Sequence, residues 1–245
     1  MKIKGVLFDK DGTLFAINEI WIDICNELID EIINNFNLEN TLKIDLLESI
    51  GIKDNKIISN SVLASGTVTD MIKVIYLNIT ENNSQKIDSS EFMDYAFNKV
   101  ISLSKDALNK FVILADLPGI MNKLSIMGFC IGIVTADLKE SVIFLLKEKN
   151  LLNFFDYIGA DDGKTEPKPN PAMLFEFCEI CNIKPEEIAV IGDSKKDIEF
   201  AKRGGAGLAI GVLSGTSNFT DLKKNSDYVF DDITEVINSG VLFST

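Results

Sequence analysis

A chain of 245 residues, 46% hydrophobic and 25% charged, has the make-up of a globular protein large enough for one α/β domain or a core with an insertion. Its 24 basic and 37 acidic side chains leave a formal charge of −13, which argues against nucleic acid or an anionic membrane as a partner. No histidine is present, which excludes Ser-His-Asp and Cys-His catalysis and every histidine-ligated zinc site.

No apolar run approaches the roughly 20 residues that span a bilayer. The N-terminus leads straight into a strand-like segment with no cleavable leader, so the expected location is cytoplasmic. That segment, IKGVLFDKDGTLF at residues 3–15, reads as a buried strand closing in a tight turn that carries Asp9 and Asp11. A calcium loop does not fit, because it needs glycine at its sixth position and an acidic ligand at its twelfth, whereas here the glycine is fourth and the twelfth residue is Ile20.

Residues 17–110 carry apolar positions at three- and four-residue intervals, as in EIWIDICNELIDEIINNF, and read as all-helical, with NITENNSQKIDSS as a polar loop. From Phe111 the pattern alternates. LPGIMNKLSIMG has the early Pro and late Gly of a helix. The strand FCIGIVTA follows, then the helix LKESVIFLLKEKN, the strand YIGA, the helix NPAMLFEFCEICNI, the strand EIAVIGD, the helix KKDIEFAKRGG, and the strands GLAIGV and DYVF. Continuous apolar strands separated by helices predict a doubly wound parallel sheet, built from residues 1–16 and 111–245, with the helical segment 17–110 inserted. Cys25, Cys130, Cys178 and Cys181 read as small buried residues of a reducing compartment, and the C-x-x-C of Cys178 and Cys181 as helix core.

In such a sheet the ligand sits at the carboxyl ends of the strands. The polar residues there are Asp9 and Asp11, Thr135, Asp161 and Asp162, and Asp193. Carboxylates converging on one rim call for a hard divalent cation, Mg²⁺ above all.

Four segments in order, DKDGT, VTAD, KPNP and GDSKKD, resemble the motifs of the haloacid dehalogenase superfamily, close to its phosphoglycolate-phosphatase-like branch. The resemblance implies a Rossmann-like α/β core with a helical cap inserted after the first motif, and a phosphoric monoester hydrolase. Asp9 is then the nucleophile that forms an aspartyl-phosphate. Asp11 protonates the leaving alkoxide and later takes a proton from water. Gly12 lets the backbone turn closely around the phosphoryl group, and Thr13 braces that turn. Thr135 offers a hydroxyl to a phosphoryl oxygen, or caps the strand end. Lys168, restricted by Pro167 and Pro169, screens Asp9 from the phosphate it attacks.

Gly12, Thr135, Ala136 and Lys168 form the expected substrate contacts. Asp9, Asp193 and, by the resemblance, the main-chain carbonyl of Asp11 are the expected Mg²⁺ ligands. Asp197 reaches the metal through water or orients Lys168, and Asp162 is an outlying candidate. Asn18 and Trp21 are the cap residues expected nearest the substrate. The hinges are expected at Phe15–Asn18 and Lys110–Val112, with the cap acting as a lid that keeps substrates to the size of a small phosphorylated metabolite.

GADDGKT is not a P-loop, since three residues instead of four separate its glycines, and GGAGLAIG follows a helix where a dinucleotide site follows a strand. A phosphomutase on the same fold is the nearest alternative, disfavoured by the missing cap histidine. An inactive phospholigand-binding module is the alternative from another class. The AINEIW that follows DGTLF lacks the Asp-Ser of the phosphoglycolate phosphatases it resembles, so the ester is not named. Monomer and homodimer both stay open.

Overall fold

Gly5–Phe8 form β1, and all four residues are buried, as a strand covered on both faces of a sheet must be. The computed structural model describes residues 2–16, 20–58, 61–82 and 86–243. By its contacts the chain divides into two compact units, Met1–Ile17 with Val112–Thr245, and Asn18–Phe111.

The second unit contains α1 (Ile20–Asn35), α2 (Leu42–Ile50), α3 (Val62–Ser65), α4 (Val68–Asn82) and α5 (Ser89–Asp106). The helical repeat of α1 buries Ile24, Cys25, Leu28, Ile29 and Ile32, and Phe36 just beyond its end stacks against Phe92 and Tyr95 of α5. Asp88 caps α5 by accepting the Glu91 N–H at 3.0 Å. One feature departs from the all-helical expectation. A hairpin of β2 (Ile52–Lys53) and β3 (Lys56–Ile57) turns through Asp54 and Asn55, whose φ values of 49° and 58° suit a two-residue hairpin loop. The polar segment expected as a loop is also shorter. Burial of Ile75 and Ile79 carries α4 on to Asn82, where composition alone suggests a break.

The first unit continues with α6 (Leu117–Ile126), β4 (Cys130–Leu138), α7 (Lys139–Glu148), β5 (Tyr157–Asp161), α8 (Ala172–Cys181) and β6 (Ile188–Gly192). It ends with α9 (Lys195–Gly204), β7 (Leu208–Val212), α10 (Phe219–Lys223), β8 (Tyr228–Phe230) and α11 (Ile233–Ser239). Its six strands are all parallel, in the order β5-β4-β1-β6-β7-β8. The chain winds outwards from β1 in both directions, the doubly wound α/β topology read from the sequence. Leu7, Val134, Met173, Phe177, Val190 and Phe200 interlock in its core.

The two connections to the helical unit run side by side, the Ala16 N–H donating to Val112 O at 2.9 Å and the Leu114 N–H to Leu14 O at 3.1 Å. Trp21 lies on α1, and Asn18 is outside the described residues. No helix among the described residues is long and apolar enough to cross a membrane.

The cysteine expectation needs correction. Cys130, at the start of β4, and Cys181, at the end of α8, are joined as a disulfide with Cα atoms 6.1 Å apart. The partner of Cys181 comes from another element, 51 residues away in sequence, and not from the C-x-x-C. Cys25 is buried and Cys178 half-buried, both as free thiols.

Candidate active site

Strand register assembles the site. Phe8 pairs with Ile133 of β4 and with Ile191 of β6, so the next residues, Asp9, Val134 and Gly192, come level, followed by Thr135 and Asp193. The Asp9 N–H donates to Ile191 O at 2.8 Å, extending the ladder to Asp9. The turn after it is closed by backbone bonds. Leu14 and Phe15 N–H groups reach Lys10 O at 3.0 Å each, and the Gly12 N–H reaches Phe15 O at 2.6 Å. The Thr13 hydroxyl, expected to brace this turn, is buried with no hydrogen-bond partner among the described residues.

Lys168 arrives from the loop between β5 and α8. Its Nζ donates to Asp9 Oδ1 at 2.6 Å, to Asp197 Oδ1 at 2.6 Å and to the carbonyl of Val134 at 3.0 Å. The loop is shaped at two points. Asp162 Oδ1 accepts the N–H groups of Lys164 (2.9 Å) and Thr165 (3.1 Å), which hold its carboxyl below the usual carboxylate range. Glu176 of α8 accepts the Thr165 hydroxyl at 2.8 Å and the Tyr157 hydroxyl at 2.6 Å. Asp162 is therefore a loop-shaping residue, and the structure does not gather it with the other strand-end carboxylates.

Among the described residues one group of three carboxylates comes together, those of Asp9, Asp193 and Asp197, with one oxygen from each within 4.8 Å of the others. Asp197 is fully engaged. Oδ1 takes Lys168, and Oδ2 takes the N–H (3.0 Å) and hydroxyl (2.5 Å) of Ser194, closing the capping box that starts α9. Asp193 receives the Thr216 N–H (2.6 Å) and hydroxyl (2.9 Å), both at Oδ2.

Burial pushes the Asp193 carboxyl up to about 6, helped by Asp197 and opposed by the Thr216 donors. Burial also holds Asp9 well above the usual range, since the Lys168 charge is opposed by Asp197 and Asp193. Burial alone would lower Lys168, yet Asp197 and Asp9 carry its pKa above that of a free lysine.

Buried oxygen donors that resist ionising without a counter-charge suit a hard divalent cation. The packing around Asp193 agrees: a Cβ on Gly12 (φ 85°) would come within 2.7 Å of its carboxylate, and one on Gly215 within 2.0 Å of Oδ2. The residues fit Mg²⁺. Asp9 Oδ2 and Asp193 Oδ1 receive no hydrogen bond among the described residues, unlike their partner oxygens.

The structure adds residues to which the sequence reading gives no role. Lys10, with its side chain fully buried, donates to Asp11 Oδ1 at 2.9 Å and pairs with Asp137 Oδ2 at 3.1 Å. Asp137 in turn accepts the Leu138 N–H at 2.7 Å, and its own N–H donates to Thr135 Oγ1 at 3.2 Å. The signal was a lysine between two motif aspartates on an otherwise buried strand tip. Ser214, whose hydroxyl donates to Gly12 O at 2.7 Å, and Thr216 lie in a loop with no motif signal at all. Ala136 is half-buried beside Thr135.

The fold and this carboxylate–lysine site define a hydrolase of the α/β type with an inserted helical segment. Residues 6–210 match the family described as haloacid dehalogenase-like hydrolase, and the chain belongs to that family. Among its relatives, pyrophosphatase PpaX of Bacillus mycoides is 27% identical over 97% of this chain and 96% of its own length. A phosphoglycolate phosphatase of Neisseria meningitidis is 24% identical over 96% and 92%. The fold is shared with a predicted phosphoglycolate phosphatase of Haemophilus somnus (TM-score 0.70, 19% identity, 98% of both chains). It is also shared with a HAD phosphatase of Thermococcus onnurineus (TM-score 0.69, 21% identity, 97% of both chains).

Proposed function

We propose that the protein is a Mg²⁺-dependent phosphatase of a small phosphomonoester, working through an aspartyl-phosphate on Asp9. The observation that carries this reading is that Lys168 fixes one oxygen of Asp9 and leaves the other without a hydrogen bond among the described residues, beside a buried acidic partner, Asp193. The names of the relatives, phosphoglycolate phosphatase and pyrophosphatase, support phosphoryl transfer to water as the reaction class.

A carboxylate oxygen of Asp9 attacks phosphorus and the bond to the ester oxygen breaks. Asp11 donates its proton to the departing alkoxide, then accepts one from the water that attacks the phosphoenzyme, which releases phosphate and restores Asp9. Lys168 keeps the nucleophile in place and offsets the repulsion between two anions. The Thr135 oxygen is occupied by the Asp137 N–H, so its proton is available to a phosphoryl oxygen. Asp9, Asp193 and the Asp11 carbonyl would hold Mg²⁺, which when bound supplies the positive charge that draws an anionic substrate to a chain of net charge −13.

Steady-state phosphate release from a panel of metabolite-sized phosphate esters, inorganic pyrophosphate and one folded phosphoprotein tests the reading. A small ester should lead, release should stop in excess chelator and return with Mg²⁺, and Asp9→Asn should form no phosphoenzyme. Asp11→Asn should still form one, and should lose more activity on an alkyl than on an aryl ester, because an aryl oxide needs less protonation. Pyrophosphate as the best substrate would move the substrate class towards the PpaX relative, full turnover in chelator would remove the metal, and a phosphoprotein matching the best ester would remove the size limit.

A further inference from the structure

We propose that Ser214–Gly215–Thr216, the loop after β7, is the positioning element of the cation site, with Thr216 aiming Asp193 at the metal. This rests on the Mg²⁺ reading above. Three consecutive residues touch both aspartate-bearing turns. Thr216 directs its two donors to Oδ2 of Asp193, at 2.6 and 2.9 Å, which leaves Oδ1 as the oxygen without a hydrogen bond among the described residues. Gly215 lies flat against that carboxylate, where any Cβ would stand 2.0 Å from Oδ2. Ser214 donates to the Gly12 carbonyl at 2.7 Å and so ties the same loop to the turn that carries Asp9 and Asp11.

A buried carboxylate with no fixed donor can rotate about χ1 and χ2 and offer either oxygen. Two donors on one oxygen hold the plane of the group and keep the other oxygen on a single bearing. The loop thus sets the distance between the two halves of the site, the β1 turn and the β6 turn, without contributing a ligand of its own. Thr216 and Ser214 are positioning residues by this argument and never touch the substrate.

The test is Mn²⁺ binding to the purified full chain, followed by loss of the free-ion electron paramagnetic resonance signal and by competition with Mg²⁺, with circular dichroism as the fold check. Thr216→Val keeps the shape and the N–H but deletes the hydroxyl, and is expected to weaken Mn²⁺ binding about tenfold, the scale of lost support to a metal ligand. Thr216→Ser restores the hydroxyl and should bind within about twofold of wild type, a rescue that a purely structural role for the threonine methyl would not give. Gly215→Ala, whose methyl group needs the place of the Asp193 carboxylate, should weaken binding further and is the second variant should Thr216→Val fail to fold. Folded Thr216→Val or Gly215→Ala protein binding Mn²⁺ like wild type overturns the inference and leaves the phosphatase reading standing. Wild-type protein that binds no Mn²⁺ overturns both.

Discussion

Lys10 is the clearest case of a single residue whose surroundings dictate its importance. Its ammonium is enclosed by Asp11 and Asp137, and although burial works against its charge, these two carboxylates raise its pKa above that of a free lysine. Asp137 keeps a raised pKa even with Lys10 beside it, because burial outweighs the attraction. Removing one partner of a buried pair strands the other, so Lys10→Met should cost about 3–5 kcal/mol in urea unfolding, towards the lower figure as Asp137 takes up a proton. The double variant Lys10→Met with Asp137→Asn should lose clearly less than the sum of the singles; additive losses would show that the pair is not coupled. Asp9, Asp193 and Lys168 were legible because each stands at a strand end or between prolines in an ordered motif. Lys10 was not, because a lysine beside two aspartates reads equally as a solvated turn residue until the fold closes over it.

At the level of elements, periodicity made the strands and helices legible, and their junctions were less so. The β2–β3 hairpin is two residues per strand, below the length at which alternation can be read. The loop between β5 and α8 illustrates the same limit, for its sequence announces prolines and turn residues but not the anchor that holds it. That anchor is Glu176, one helical turn into α8, which grips Thr165 and Tyr157 together. Glu176→Ala should release the segment that carries Lys168 and lower kcat/KM by about tenfold, because displacing a charged group by a fraction of an ångström from the reacting atoms costs that much or more. Far-UV circular dichroism should stay unchanged, and Tyr157→Phe, which leaves the Thr165 bond in place, should cost less. Equal losses for the two variants would place the effect in α8 packing.

Across the whole molecule the acidic site imposes an unusual pH response. Asp193 is held up to about 6, and Asp9 is also raised, whereas an unfolded aspartate titrates near 3.9. Between those values the folded state binds more protons than the unfolded one, so this contribution to stability is complete below about 4 and is lost as pH rises through about 6. Metal-free protein should therefore melt higher at pH 5.5 than at pH 7.5, by roughly 2–8 °C for a contribution of order 1–3 kcal/mol. Mg²⁺ should raise Tm more at pH 7.5 than at 5.5, because at the lower pH it competes with protons; a melting temperature flat or rising from pH 5.5 to 7.5 without metal would contradict the site electrostatics. The disulfide was the part of the whole fold least open to reading, since neither Cys130 nor Cys181 has its partner nearby in sequence. The central place of β1 also governs how this chain must fold. Gly5 pairs with Cys130 on one side and Ile188 on the other, so β1 waits for its second neighbour until β6 has been made, well over a hundred residues later. The helices between Ile20 and Asp106 form a compact unit among themselves and can pack while β1 waits, whereas the sheet cannot close around β1 until β6 has been made. During synthesis β1 is thus an exposed apolar segment, ended by the charges of Lys10 and two aspartates, a sequence that resists sticking to itself in the interval.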